Sequence, residues 1–280
     1  MANETTSSTI SELYTEIVQE ALFVAQEQSI MRGLVRNYTI AGGGKSVEVP
    51  IYGTVSASAV NEATDLTNTA VNPTSVTITA SEVGIMTTLT DLARNSASRN
   101  VGADIGRLFG EAIAKKIDTD LTALFDGFST SIGGAGTELT IDNIFKAVAT
   151  LRQANVPAPY FGVFNPKVIY NVKKSLTNTF VNPNAGDLQN EAMRTGFIGE
   201  IAGVRIFESS NVDGTTDTDN CKGAVFAQDA LGLAMMQDLK IETQRDASLR
   251  SDEIVASAVY GVGELHDSYG IEMLNESVIN

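Results

Sequence analysis

The sequence predicts an α+β fold, and three observations carry that expectation. Residues 101–125 hold a continuous helical stripe, with Ile105, Leu108, Phe109, Ala112, Ile113, Ile117, Leu121, Leu124 and Phe125 on one side. Residues 46–90 contain two runs of period-two alternation separated by a polar stretch, the pattern of a hairpin with a long end. Residues 139–178 read as helix, short apolar strand and helix in succession. With 43% hydrophobic and 19% charged residues over 280 positions, the chain can bury one sizeable core or two modest ones.

Taken in order, Thr9 and Glu12 form a capping-box pair ahead of ISELYTEIVQEALFVAQE. In that segment Ile10, Leu13, Tyr14, Ile17, Val18, Ala21, Val24 and Ala25 share one helical face, and Gly33 ends the element. The next stretch, AGGGKSVEVP, closes its glycines on Gly-Lys-Ser, the letters that end a phosphate-binding loop. Such a loop needs another glycine five positions before Gly44, where this chain has Thr39. It also needs a helix to follow, whereas SVEVPIYGTV alternates as a strand with Pro50 inside it. The segment is therefore a glycine hinge leading into a hairpin arm, with Val47, Val49 and Ile51 on one side and Glu48, Pro50 and Tyr52 on the other.

From Ser56 to Ser75 the arm is built of small, hydroxylated and turn-forming residues. A connection of that length and polarity cannot bury itself, so it is either flexible or ordered by something outside the chain. VTITASEVGIMTTLT resumes β structure, TDLARNSASRN is a short helix or turn, and Val101 to Phe125 is a long helix of about 38 Å. STSIGGAGTE reads as a loop that closes this helix and marks a boundary. Beyond it TIDNIFKAVATLRQANV is helical, YFGVFN is a strand, and NPKVIYNVKKSL starts a helix at its proline. GFIGEIAGVRIFES and KGAVFAQDALGLAMM add strands, and two or three long strands follow Gln237.

Composition narrows the function. A net charge of −15 and a pI near 4.4 oppose specific binding to phosphate backbones, where affinity rests on Lys and Arg. No apolar run reaches the roughly 18 residues of a membrane span, and MANETTSSTI lacks a signal core, which predicts a cytoplasmic protein without a membrane partner. One cysteine, Cys221, excludes an internal disulfide, and one histidine, His266, leaves little for zinc or imidazole chemistry. Asp213, Asp217 and Asp219 suggest a calcium loop, but from Asp217 the sixth position is Lys222 and the twelfth Gln228, where glycine and glutamate belong. Asp118 and Asp120 lie two apart on the long helix and read as solvated positions. No nucleophile-elbow motif is present, so no catalytic residue, cofactor or metal is expected.

The order of parts resembles the major capsid proteins of tailed phages, the Hong Kong 97-like fold that bacterial encapsulins share. The resemblance rests on GGGKSVEVPIYG with VNEATDLTN, on Val101 to Phe125, on LTIDNIFKAVATLRQANVPAPYFGVFNPKVIYNVKK, on GEIAGVRIFESSNV, and on RDASLRSDEIVASAVYGVGELHDSYGIEML. It implies five segments: an amino-terminal arm and helix (1–40), an extended loop (41–92), a peripheral domain with its spine helix (93–137), an axial domain (138–238) and strands returning to the peripheral domain (239–280). It further implies a structural protein whose hexamers and pentamers close an icosahedral head around double-stranded DNA, assembled in the host cytoplasm.

Implied partners are other copies of the chain, a separate scaffold, a portal, decoration proteins, and DNA held without sequence preference. About forty residues precede the loop, too few for a fused scaffolding region. On this reading Gly42, Gly43 and Gly44 let the arm pivot, and Lys45, Val49 and Ile51 meet a neighbouring subunit. Arg94, Arg99 or Arg107 would pair with Glu62 and Asp65 across subunits. The competing readings are an encapsulin shell around a cargo enzyme, an acidic α/β enzyme, and a surface-layer or adhesin protein.

Overall fold

The computed structural model describes residue 21, residues 29–41 and 43–53, residues 55, 57, 59–62, 65 and 68, and residues 70–96, 101–178, 199–212 and 220–276. The expected amino-terminal helix, apart from Ala21, and the Asp213–Asp219 loop lie outside these residues. Described strands form three sheets. β2 (Ser46–Ile51) and β3 (Thr74–Thr79) make the antiparallel arm. β1 (Arg36–Thr39), β10 (Leu231–Asp246), β11 (Ser251–Glu264) and β4 (Ser81–Thr90) make a four-stranded sheet in the order β1-β10-β11-β4. The third sheet holds β5 (Ser131–Glu138), β12 (Gly270–Glu276), β9 (Asn220–Ala227), β6 (Tyr160–Phe164), β8 (Val204–Glu208) and β7 (Glu200–Ile201), in that spatial order.

Two expectations change. STSIGGAGTE is not a loop, because residues 131–138 pair in parallel with β12 as an edge strand. The stretch 239–280 does not return as a whole to the four-stranded sheet, because β12 pairs with β9 and β5 in the six-stranded one.

The helices explain how both sheets share a core. α1 (Asp91–Ser96) follows β4, and α2 (Val101–Ala123) is the long helix, continued by a 3-10 turn over Leu124–Gly127. Phe109, Ile113, Ile117, Leu121 and Phe125 are buried in one cluster with Leu233, Ile241, Ile254 and Ala256 of the four-stranded sheet. The same cluster takes Phe161, Val163, Ala224 and Phe226 from one face of the six-stranded sheet, where the Phe125 and Phe226 rings lie 5.5 Å apart. The opposite face carries α3 (Ile141–Gln153) and α4 (Pro166–Asn178).

Thr140 caps α3 by accepting a hydrogen bond from the Asn143 amide at 3.2 Å, and Ile144, Ala147, Val148 and Leu151 give it one buried face. Pro166 opens α4, and the Asn165 side chain accepts from the Lys167 amide. Every residue of β6 is buried because the strand has apolar matter on both sides.

The chain before β1 is tied to α2 at two points. Ala21 is buried, and a Cβ built on Gly110 would stand 2.4 Å from the Ala21 carbonyl oxygen, so the two backbones meet where α2 has no side chain. Two turns further on, Asp118 is fully buried, contrary to the solvated position expected. Its carboxylate accepts hydrogen bonds from the Ser29 hydroxyl at 2.9 Å and from the Ile30 and Met31 amides at 3.1 and 3.2 Å. Burial pushes the Asp118 carboxyl above the usual range, and these donors only partly oppose it. Asp120, on the adjoining face, accepts from Tyr260 at 2.7 Å and pairs with Lys116.

Two predictions follow from these contacts. Gly110→Ala would stabilise an isolated helix by about 1 kcal/mol, but here the added Cβ displaces the Ala21 backbone. The expected outcome is a net loss of about 1–3 kcal/mol in chemical denaturation, and a gain would contradict the docking. Because the folded pKa of Asp118 is raised, its contribution to stability is full at acid pH and is lost as pH rises through that value. Asp118→Asn removes the titration, so between about pH 4 and pH 7 the variant should lose less stability with rising pH than the parent, or gain more. Parallel slopes in paired denaturation curves would argue against it.

Candidate functional site

No group of His, Cys, Asp and Glu that could hold a metal ion is present among the described residues, and the feature that calls for a function is the arm. Its root is built by one run of chain, Thr74 to Thr90, that changes partner at Ala80. The Ala80 amide donates to the Lys45 carbonyl at 2.7 Å, which fixes the even-numbered residues of 74–80 as those whose backbone groups face β2. The Asp91 amide donates to the Arg250 carbonyl at 3.0 Å, so above Ala80 the odd-numbered residues face β11. One strand thus serves two sheets from its two edges.

Side chains lock this root. Ile78 is 1% exposed and lies over Gly232 and Gly263, which are cross-strand partners on β10 and β11. A Cβ on Gly232 would come within 2.9 Å of Ile78 Cδ1, and one on Gly263 within 3.0 Å of Cγ1, so the glycine pair forms a socket for the isoleucine. Val49, Ile40, Ala80, Ala234 and Leu265 close the cluster around it. Val49 is therefore seated in its own subunit, which corrects its expected place at a subunit contact. Ile51 is half-buried, and Lys45 is exposed.

Gly43 has φ +83°, a left-handed conformation that suits glycine, while Gly42 lies outside the described residues. A swing of the arm about these glycines has to break the Ala80–Lys45 bond and lift Ile78 from its socket.

Beyond Ile51 every described residue up to Pro73 is exposed, Glu62 and Asp65 among them. Tyr52, Val55, Val60 and Val71 are 65, 56, 46 and 51% exposed, an unusual load of apolar surface for a polar loop.

At the other end of β4 the charges are committed within the chain. Arg245 makes two hydrogen bonds to Asp91, at 2.6 and 2.7 Å, and reaches Asp252 at 3.2 Å. Arg94 bonds to Asp252. The Arg245 guanidinium holds the Asp91 carboxyl below its usual range. Arg94 thus has an ion-pair partner inside its own subunit, where a partner across subunits was expected. Arg107 lies 3.7 Å from Glu111 one turn along α2 and stays largely solvent-facing, and Arg99 falls outside the described residues. A shallow groove of about 610 Å³ runs between α2 and residues 208–211, lined by the exposed Leu108 with Lys115, Glu208 and Asn211.

Cys221 and His266 do not meet. Cys221 is buried opposite Asn275 at one end of the β9–β12 pair, whereas His266 precedes the other end, where Gly270 faces Phe226, and stacks on Tyr269 at 4.4 Å. The two ends lie about 17 Å apart.

The structure thus joins a long helix and two packed sheets to an arm whose described residues beyond Ile51 are exposed. Comparison with known proteins gives the class. The pattern of the phage capsid protein family matches residues 71–271, and the chain belongs to that family. Its fold is the Hong Kong 97-like one, and it is a structural major capsid protein.

The capsid structure of the cyanophage P-SCSP1u superposes with a TM-score of 0.67 at 21% identity, covering 88% of this chain and 87% of that one. Mycobacterium phage Che8 gives 0.66 at 23%, covering 82 and 84%. The virus-like particle from Pyrococcus furiosus gives 0.65 at 13%, covering 93 and 98%. No curated protein matches by sequence.

The root makes a direct prediction. Ile78→Ala should cost about 2–5 kcal/mol of stability and expose residues 40–80 to limited proteolysis before the rest of the chain is cut. Unchanged cleavage there would show that the socket does not hold the arm.

Proposed function

We propose that copies of this chain assemble as hexamers and pentamers into an icosahedral phage head enclosing double-stranded DNA, with each arm lying over a neighbouring copy. The observation that carries this is the arm itself, seated firmly at its root and offering four large apolar side chains to solvent beyond Ile51. A lone subunit gains nothing from that exposure, whereas a neighbour's surface removes it from water. Lys45, Ile51, Glu62, Asp65, Arg99 and Arg107 are the residues proposed to meet other copies. Val49 and Arg94 act earlier, by fixing the arm and the end of β4 in their own subunit. Gly42, Gly43 and Gly44 supply slack on the ascending side of the arm, and motion is a bend about Ala80 more than a free swing.

DNA in this reading is contained, not gripped, since the chain carries a net charge of −15. Assembly takes place in the host cytoplasm, with a portal, a separate scaffold and decoration proteins as further partners. A cellular compartment shell is the alternative, and its particles would hold protein in place of nuclease-protected DNA.

Negative-stain electron microscopy of the purified protein should show closed shells or capsomer rings. Replacing Gly42, Gly43 and Gly44 together by Ala should leave the subunit folded and reduce closed shells severalfold. A uniform monomer from the parent chain with its scaffold present would overturn the shell reading, and normal shells from the triple variant would remove the hinge from it.

A further inference from the structure

The two helices on the six-stranded sheet, on the face away from the shared core, are a local exception to the charge of the chain. Residues 141–178 hold Lys146, Arg152, Lys167, Lys173 and Lys174 against Asp142 alone, a net of +4 where the whole chain carries −15. Phe145 and Tyr170 on the same helices are 55 and 44% exposed. Topology sets how these side chains stand to one another. α3 ends where β6 begins and α4 begins where β6 ends, so the helices cross the sheet side by side in one direction. Lys173 pairs with Glu208 of β8, which fixes one flank of α4 toward that strand and turns Lys167 and Lys174 to the other flank, toward α3. On α3, Arg152 reaches the β7–β8 turn, where a Cβ on Gly203 would stand 3.6 Å from its guanidinium and 4.0 Å from the Glu200 carboxylate. Phe145 and Ala149 share that flank of α3 by helical spacing, so it faces α4. A furrow therefore runs between the helices, with Phe145, Ala149 and Arg152 on one wall, Lys167 and Lys174 on the other and Tyr170 at the rim, all exposed. Lys146 stands above it, paired with Asp142.

We infer that this furrow docks an acidic amphipathic helix of a second protein. Charge complementarity selects the sign of the occupant, and the aromatic side chains select its kind. A helix laid between two parallel helices can cover Phe145, Ala149 and Tyr170 with one apolar stripe. Carboxylates flanking that stripe then meet Arg152 on one wall and Lys167 and Lys174 on the other. Ala149, the small residue between Phe145 and Arg152, leaves room for a large apolar side chain of the incoming helix. A DNA duplex would satisfy the cations but set its phosphates against Phe145 and Tyr170, and the negative charge of the surrounding chain repels it. The inference goes beyond the shell reading and does not need it, because the furrow belongs to the single folded subunit.

Fluorescence anisotropy on the full chain tests it, with a labelled peptide of about 21 residues built from Leu-Glu-Ala-Leu-Glu-Glu-Ala repeats as the probe. The peptide should bind with a dissociation constant of about 10–100 µM at low salt, and severalfold more weakly at about 0.5 M salt. The same peptide with every Glu replaced by Gln should not bind. Two double variants, Phe145→Ser with Tyr170→Ser and Lys167→Glu with Lys174→Glu, change exposed side chains only, so circular dichroism should match the parent while each weakens binding about tenfold or more. No binding of the acidic peptide, or equal binding by the Gln peptide or by either variant, would overturn the inference. Tighter binding of a DNA duplex of about 20 base pairs would overturn it in favour of nucleic acid. A photo-crosslinking benzoylphenylalanine at Tyr170 that joins two copies of the chain in particles would overturn it in favour of a second copy, and particles without such links agree with it. Shell formation is read separately by microscopy, so normal shells from a chain that ignores the peptide would remove this inference and leave the shell reading intact.

Discussion

A single strand shared by two sheets is the constraint on which the rest of the molecule depends. Backbone groups in a strand alternate between its two edges, so a run can pair with one partner on its left and another on its right. Thr74 to Thr90 does so in succession, with β2 on one edge as far as Ala80 and β11 on the other from Ser81. The arm therefore projects as a continuation of the four-stranded sheet, in a direction set by that sheet's twist. Ile78 in the Gly232–Gly263 socket and Val49 beside it convert this backbone continuity into a fixed seat. A neighbour consequently meets an arm already aimed, which reduces the ordering entropy that an unanchored hairpin would lose on binding.

The second anchor acts on the other side of the sheet. α2 contributes to the core shared by both large sheets, and Asp118 on that helix receives the chain before β1 through a hydroxyl and two amides. Burying a carboxylate is costly unless its oxygens are satisfied. An apolar side chain at 118 would leave the Ile30 and Met31 amides without this acceptor. The charge is thus retained for registry: it fixes which residue of the amino-terminal segment meets which turn of the helix. Gly110 supports the same register by contact, since a side chain there would meet the Ala21 backbone.

Much of this fold was legible in the sequence because its signals are local. The α2 stripe, Pro166 at the start of α4 and the alternation of β2 each follow from neighbours within a few positions. β5 was missed because Gly133, Gly134 and Gly136 remove the β-branched side chains that mark a strand, and its pairing with β12 spans more than a hundred residues. The return of β12 to the six-stranded sheet is invisible for the same reason. Asp118 was misread although a signal existed: it stands four positions after Ala114 and three before Leu121, both apolar and both buried, and so shares their face. The run VTITASEVGIMTTLT gave no local sign that it divides between two sheets, because the division changes only which edge is paired. The site was legible as an arm with a polar tip, but not as a socket, since Gly232 and Gly263 meet Ile78 only through the tertiary fold.

The distribution of charge completes the division between what is closed and what is open. Among the described residues, the side chains of Arg32, Arg36, Arg94, Arg107, Lys116, Lys146, Lys173, Lys222, Lys240 and Arg245 lie in ion pairs within the chain. Each such pair contributes little to stability where it is exposed, but each also removes a cation from the surface available to a polyanion. With 34 acidic residues against 19 Lys and Arg, the field presented to solvent is negative. Screening confines that field to about 8 Å at physiological salt, a range that repels a nucleic acid at contact without affecting it at a distance. Between copies the net charge opposes association, so short-ranged contacts have to outweigh it. Burial of Tyr52, Val55, Val60 and Val71, which a lone copy leaves exposed, would have that character.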